Sequence, residues 1–420
     1  MKKSRLLSLF VALALLLSCA SIAMAEEKVH INLWHQWTID TDSNRIALDK
    51  AVAEYMAEHS NVEIECHLLE NEAYKTKMST EFAGSASGID VFFYWGGGRA
   101  GKLQQADKLL PLQDYLTEEQ MSSVKPGSAN EFTYDGVMYT VPTFSWMMPL
   151  YCNTELFEKA GATIPTTFDE LLEASAKLQE AGVKTPLAMG VKEAWQAAFV
   201  YEWIALQEVG AINVNKMLSL EIPFEDPGYL TAAEKVQQLY EAGVFGPNPM
   251  ELGSGDADQA FLTGNAAMRM TGNWFTDSIY NDKNSVVADV TIAAQIPVFG
   301  LNQPTDYVGG YIDSFFVNKA TANPEVAADF TMFLCKKIAT ARHESGQGFT
   351  AFTDPVDESN LPRVAQEVAA IANAGVDGVI AWDTSLDENN AMTHLEAVQS
   401  LFTDSGDPQA VFDEHVDILG

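Results

Sequence analysis

The sequence predicts an α/β fold built on a parallel sheet, and two observations carry that prediction. Strand and helix patterns alternate from Val29 to about Tyr94, the order that lays parallel strands side by side under covering helices. The third strand pattern, Ile89 to Tyr94, is a continuous apolar run, as in a strand buried on both faces. With 420 residues, 47% of them apolar, the chain can fill two cores of ordinary size.

The elements follow in order. MKKSR is a basic head, LLSLFVALALLLSCA an apolar run and SIAMA a small-residue cleavage pattern before Glu26. That is an export signal, too short and weakly flanked for a membrane span. Cleavage after Ala25 is favoured. The alternative is a lipobox, Leu16-Leu17-Ser18-Cys19, with Cys19 lipidated; the small apolar run from Ala20 to Ala25 lacks the usual polar tether. VHINLWH then reads as a strand. Asp42-Ser43-Asn44 caps a helix to about His59, with Leu48, Val52, Tyr55 and Met56 on one face. VEIECHLL alternates as a half-buried strand, with Cys66 in its inward set. A helix from Asn71 to Phe82 precedes the third strand. Beyond Lys125-Pro126-Gly127 the pattern changes to short β segments, then to long helices interrupted by the strands VTIAAQIPV and YIDSFFVN. There is no low-complexity linker, so two domains would be joined through strands.

A net charge of -33 repels phosphate backbones and anionic headgroups, which argues against nucleic acid and membrane surfaces as partners. Cys66, Cys152 and Cys335 have no metal spacing and read as buried free thiols.

Two motifs fail on inspection. Gly96-Gly97-Gly98-Arg99-Ala100-Gly101-Lys102 nearly spells a phosphate loop, but Leu103 stands where the hydroxyl that holds magnesium is needed. It reads instead as a glycine turn beyond a strand's carboxyl end, where open α/β sheets place ligands. Asp40 to Asn44 begins like a calcium loop, but Arg45 and Ala51 replace its Gly and Glu. Asp40 is then free to face a cleft. No catalytic motif, metal site or cofactor site is recognised.

The tryptophans are more informative. Trp37, Trp95, Trp146, Trp274 and Trp382 sit at element ends beside Gly, Pro or polar residues. A tryptophan there is a flat apolar plate with one donor, suited to the C–H face of a sugar ring. Trp34, in mid-strand, and Trp203, on a helical face, read as core.

Several blocks resemble the sugar-binding extracellular solute-binding proteins (family 1) that feed ABC importers. They are INLWHQW, GIDVFFYWGGG, YTVPTFSWMMPLYCNTELFEKAG, FLTGNAAMRMTGNW and VGGYIDSFFVNKATANPEVAADFTMFL. In the third block Asn153 and Phe157 match and Cys152 replaces the usual Tyr. The resemblance implies a type II periplasmic-binding-protein fold: two α/β lobes, a central ligand cleft, and two to three hinge crossings near 145–149, 295–298 and 314–317. With the signal at 1–25, it implies a first lobe of 26–146 plus 296–315 and a second of 147–295 plus 316–420. By position in these blocks, the ligand residues are Trp37, Asp40, Trp95, Arg99, Trp146, Trp195, Trp274, Tyr311, Asp313 and Trp382. The implied partners are a carbohydrate ligand and membrane permease subunits, met by an exported, non-enzymatic monomer. Two rivals share these features: a secreted carbohydrate lyase or hydrolase, and a binding protein for a polyamine or phosphorylated polyol. The second, in its phosphate form, needs a basic cluster, and the candidates offer only Arg99 and Arg269.

Overall fold

The computed structural model describes residues 28–40, 42–301, 306–375 and 378–420, so the signal segment and Cys19 lie outside the described residues. Strands β1 (Val29–His35), β2 (Val62–Leu68) and β3 (Val91–Trp95) are parallel neighbours, as their order predicts. Asp42 caps the intervening helix Ser43–Glu58, its Oδ1 accepting from the Asn44 amide at 2.8 Å. β2 buries Val62 and Ile64 and exposes Glu63 and Glu65, while β3 is buried at every position. β4 (Thr133–Tyr134) and β5 (Val137–Met138) form a small hairpin about Asp135-Gly136, both with positive φ, the geometry of an Asp-Gly hairpin turn.

β6 (Phe144–Met147) then joins the first sheet and β7 (Leu150–Asn153) the second, with only Met148 and Pro149 between them. β8 (Thr185–Ala188), β9 (Ala266–Met270) and β10 (Thr291–Ala294) complete the second sheet, in the order β10-β7-β9-β8. The chain returns through 295–306 to β11 (Tyr307–Val317), the central strand that pairs antiparallel with both β3 and β6. β12 (Phe349–Thr350) and β13 (Gly378–Val379) finish the seven-stranded first sheet. The chain thus passes between the sheets at 148–149, inside the expected 145–149, and again after β10, from 295 on, where 295–298 was expected.

The expected third crossing does not. Ser314 to Val317 lies inside β11, paired with Tyr94 to Val91. Helix Pro324–Glu344 also packs on the first sheet's side: Tyr55 donates to Asp329 at 2.8 Å and its ring meets that of Phe330 at a tilt, 5.0 Å away. Residues 316–350, expected in the second lobe, therefore pack with the first. The chain leaves that body after β12 instead. Helix Arg363–Ala374 lies on β10, where Glu367 accepts from the Ala293 amide at 2.8 Å.

Trp203 is fully buried, as expected, and its Nε1 donates to Pro297 O at 3.0 Å, pinning the second crossing to helix Ala194–Val209. Trp34 is not core: it is half-buried on the outer side of β1, stacked on His67 with ring centroids 4.7 Å apart. Strand alternation explains this, since Ile31 and Leu33 point in and Trp34 points out. The three cysteines among the described residues are free; Cys152 and Cys335 are buried, Cys66 only half so. Among the described residues no helix is long and apolar enough to cross a membrane.

Candidate functional site

Parallel strands bring their carboxyl ends to one edge, and that edge of the first sheet carries the expected residues. Trp37 follows β1, with its ring 5.4 Å from Phe93 and 5.8 Å from Phe315. Trp95 ends β3. The Lys75 ammonium and the Arg99 guanidinium lie 5.5 and 5.7 Å from its ring centre. On β11, Asp313 stands opposite Trp95, Tyr311 opposite Ser145 and Gly310 opposite Trp146.

The second body supplies the facing aromatics. Helix Ala194–Val209 presents Trp195 and Phe199 from its first turns, and the turn after β9 presents Asn273 and Trp274. Trp146 of the first body meets Trp274 of the second edge-on at 5.1 Å and stacks with Phe199 at 5.6 Å. Trp195 lies 6.3 Å from Trp274. The Met147 amide donates to Asn273 Oδ1 at 3.2 Å, tying the aromatic group to the crossing.

Beside it lies a charged cluster around Asp313, of which Arg342 and Asp277 were missed by sequence reasoning. Arg342 is buried, with its guanidinium 3.6 Å from the Phe144 ring centre and hydrogen bonds to Asn44 Oδ1 and, at 2.9 Å, Gln347 O. Burial pulls its pKa down to about 10, against the opposing pull of Asp313, Asp42 and Asp277. Burial also pushes Asp313 up to about 6, which Arg342 partly offsets. Asp277 of the second body is raised by burial, which the hydrogen bond from Asn281 Nδ2 to its Oδ1 at 2.6 Å partly offsets. The one signal for Asp277 was its place three residues after Trp274; nothing local marks Arg342, which reaches the site from the far end of its helix.

Several buried polar atoms near these residues have no hydrogen-bond partner among the described residues: His35 Nε2, Gln36 Oε1, Asn273 Nδ2, Arg342 Nε and Gln347 Oε1. His35 accepts the Trp37 amide on Nδ1 at 3.2 Å, so its Nε2 carries the hydrogen. Burial, then Arg45, lowers its pKa to about 4, which keeps the ring neutral. Among the described residues no group of His, Cys, Asp or Glu could hold a metal ion.

Of the other expected residues, one is core, one is paired with a carboxylate beside Trp95 and one is exposed. Trp382 is fully buried in the second body, between Tyr201, Tyr229 and His394. It is a core residue, and its position at an element end misled. Arg99 is buried against Asp383, donating from Nε to the carbonyl at 3.0 Å and from Nη2 to Oδ2 at 3.3 Å. Its charge is matched by a protein carboxylate. Asp40 is exposed, on the stretch before the Asp42 cap. The glycine turn serves backbone packing: a Cβ on Gly98 would stand 2.3 Å from Ser385 O and 2.6 Å from Leu386 O. The two bodies touch backbone to backbone there. A separate groove of about 1290 Å³ opens beyond this contact, between Gly101, Lys102 and Tyr134 on one side and Ile212, Asn215 and Ile380 on the other. None of the candidate tryptophans lines it.

Comparison with known proteins gives the context. The profile of the bacterial extracellular solute-binding proteins matches residues 41–337. An uncharacterised ABC transporter extracellular-binding protein of Pyrococcus horikoshii is 27% identical over 66% of this chain and 62% of its own length. An alpha-glucosides-binding periplasmic protein of Rhizobium meliloti is 28% identical over 45% of this chain and 43% of its own. A structure from work on xylan utilisation by the thermophilic bacterium Caldanaerobius polysaccharolyticus superposes with a TM-score of 0.88 at 29% identity, covering 93% of this chain and all (100%) of that one.

Proposed function

The chain belongs to the bacterial extracellular solute-binding protein family, and from that premise we propose that it captures a neutral sugar or short oligosaccharide between its lobes and delivers it to the membrane subunits of an ABC importer. The observation that carries the sugar reading is the meeting of Trp146 and Trp274 from opposite bodies, 5.1 Å apart, beside Asp277 and Asp313. Aromatic plates take the C–H faces of a sugar ring and carboxylates take its hydroxyls. The unpartnered buried donors and acceptors around them are the atoms a polyol would satisfy. The glucoside-binding relative and the link of the 29% identical structure to xylan utilisation support the same class.

Ligand bridging both bodies favours the closed arrangement through contacts that an open one cannot make. The ligand leaves unaltered. Export follows from the leader, with cleavage after Ala25 favoured and lipidation at Cys19 the alternative; the working unit is a monomer. A thermal-shift screen over mono- and oligosaccharides tests the reading, because a bound ligand raises apparent stability by mass action. Stabilisation by a sugar, with the sugar recovered intact, is expected. Cleaved or eliminated product would replace this reading with a carbohydrate-active enzyme. Stabilisation only by polyamines or phosphorylated polyols would replace the ligand class.

A further inference from the structure

Three buried titratable residues in the second body have no part in the ligand site. Glu202, His394 and His415 are each 0–1% exposed and come from three different helices, Ala194–Val209, Glu388–Ser400 and Pro408–Leu419. They form a chain. His415 Nδ1 lies 2.6 Å from Val411 O, His415 Nε2 lies 2.7 Å from His394 Nδ1, and His394 Nε2 lies 3.2 Å from Glu202 Oε1.

A count of hydrogens along this chain is decisive. A carbonyl oxygen only accepts, so His415 must donate from Nδ1. If His415 is neutral, its Nε2 is a bare lone pair, and His394 must donate to it from Nδ1. His394 Nε2 is then also bare and faces Glu202. Each of the three contacts needs one hydrogen, and two neutral imidazoles supply two. The third must be a proton taken from solvent.

We propose that the triad Glu202–His394–His415 holds one such proton, carried on Glu202, and that the protonated triad positions the strap Trp382–Asp383 against the first body. The link is short. Glu202 Oε1 accepts the Trp382 amide at 3.0 Å, and the Trp382 ring stacks on His394 with centroids 5.2 Å apart. The next residue, Asp383, holds Arg99 of the first body, and Arg99 lies over Trp95. Loss of the proton would leave two lone pairs facing each other at one of the three contacts, loosening the packing that fixes the strap.

The neighbours fit this placement. Asp383 is the carboxylate that acts on Glu202 and His394, and it is matched by Arg99; the titratable group in ring contact with both histidines is the phenol of Tyr201, which burial keeps neutral. Burial raises Glu202 well above the usual carboxylate range and lowers His394 to about 4 and His415 to about 3. The sign of the linkage follows. Unfolded Glu202 ionises near about pH 4.3, so the folded protein holds a proton the unfolded chain lacks, and this contribution to stability declines as pH rises above that value.

The test needs no sugar and so stands or falls apart from the transport reading. Long-range proton–nitrogen spectra of the ¹⁵N-labelled full chain report each histidine's tautomer. His394 and His415 are expected as neutral Nδ1–H rings, unchanged from pH 5.5 to 8. A neutral Nε2–H form, an imidazolium, or ordinary titration near 6.5 in either ring would overturn the proposal. Glu202→Gln gives a second measure: it still donates to His394 but cannot ionise, at the cost of the oxygen that accepts the Trp382 amide. The wild type's advantage in Tm over Glu202→Gln should shrink steadily from pH 5 to 9, since both share the histidine titrations. A pH-independent difference would show that Glu202 carries no such proton.

Discussion

Asp313 and Trp95 stand directly opposite one another across the antiparallel β11–β3 pair. Residues so paired project from the same face of the sheet. One strand end therefore presents a carboxyl group and an indole plate side by side. Phe144 completes the row from β6, under the Arg342 guanidinium.

The first prediction concerns this carboxyl. Asp313 ionises at about 6 when folded, above its ordinary value of 3.8. Its contribution is complete below about pH 3.8 and is lost as pH rises through 6. The stability of the wild type relative to Asp313→Asn should fall by at most about 3 kcal/mol between pH 3.5 and 7. Urea unfolding at a series of pH values measures it. A difference that stays constant would place the Asp313 pKa near its ordinary value.

The second concerns binding. Trp95→Ala and Trp274→Ala should each weaken sugar affinity by roughly 1–3 kcal/mol by calorimetry, while both variants stay folded. Unchanged affinity in both would remove the two indoles from the ligand site.

Trp382 should behave in the opposite way. It is fully buried among Tyr201, Tyr229 and His394, so Trp382→Ala should cost about 3–5 kcal/mol of stability, the range for emptying an aromatic core site. A stable variant that no longer binds sugar would return Trp382 to the ligand site.

Gly98 gives a fourth outcome. Its Cβ would meet two carbonyl oxygens of the 385–386 backbone, and backbone cannot step aside as a side-chain end can. Gly98→Ala should lower stability by about 1–3 kcal/mol in thermal unfolding. An unchanged Tm would mean that the strap is not clamped against helix Gly97–Gln105.

Much of the fold was legible because it is written locally. The β1–β2–β3 order and the Asp42 cap each depend on neighbours in sequence. The return of helix Pro324–Glu344 to the first sheet was not legible: its amphipathic pattern shows that one face is buried but not against which sheet. The site was half legible for the same reason. Strand ends marked Trp37, Trp95 and Trp146, whereas Arg342 reaches Asn44 across 298 residues and Phe144 from a distant element, separations no spacing rule spans. Trp382 misled because an element end looks alike from sequence whether it opens on solvent or on another helix. The Gly-Gly-Gly turn was conspicuous for its flexibility, yet its role is close backbone approach to residues 384–386.

The central claim is that a sugar is held between two bodies that close on it. Small-angle scattering on the mature protein, with and without a saturating sugar already shown to bind, tests that claim most directly. The crossing at 148–149 is a two-residue connection between the two sheets, which concentrates the motion in a few residues. The radius of gyration should be smaller with the sugar bound. Superimposable curves would contradict it and confine the ligand to a rigid pocket on one body.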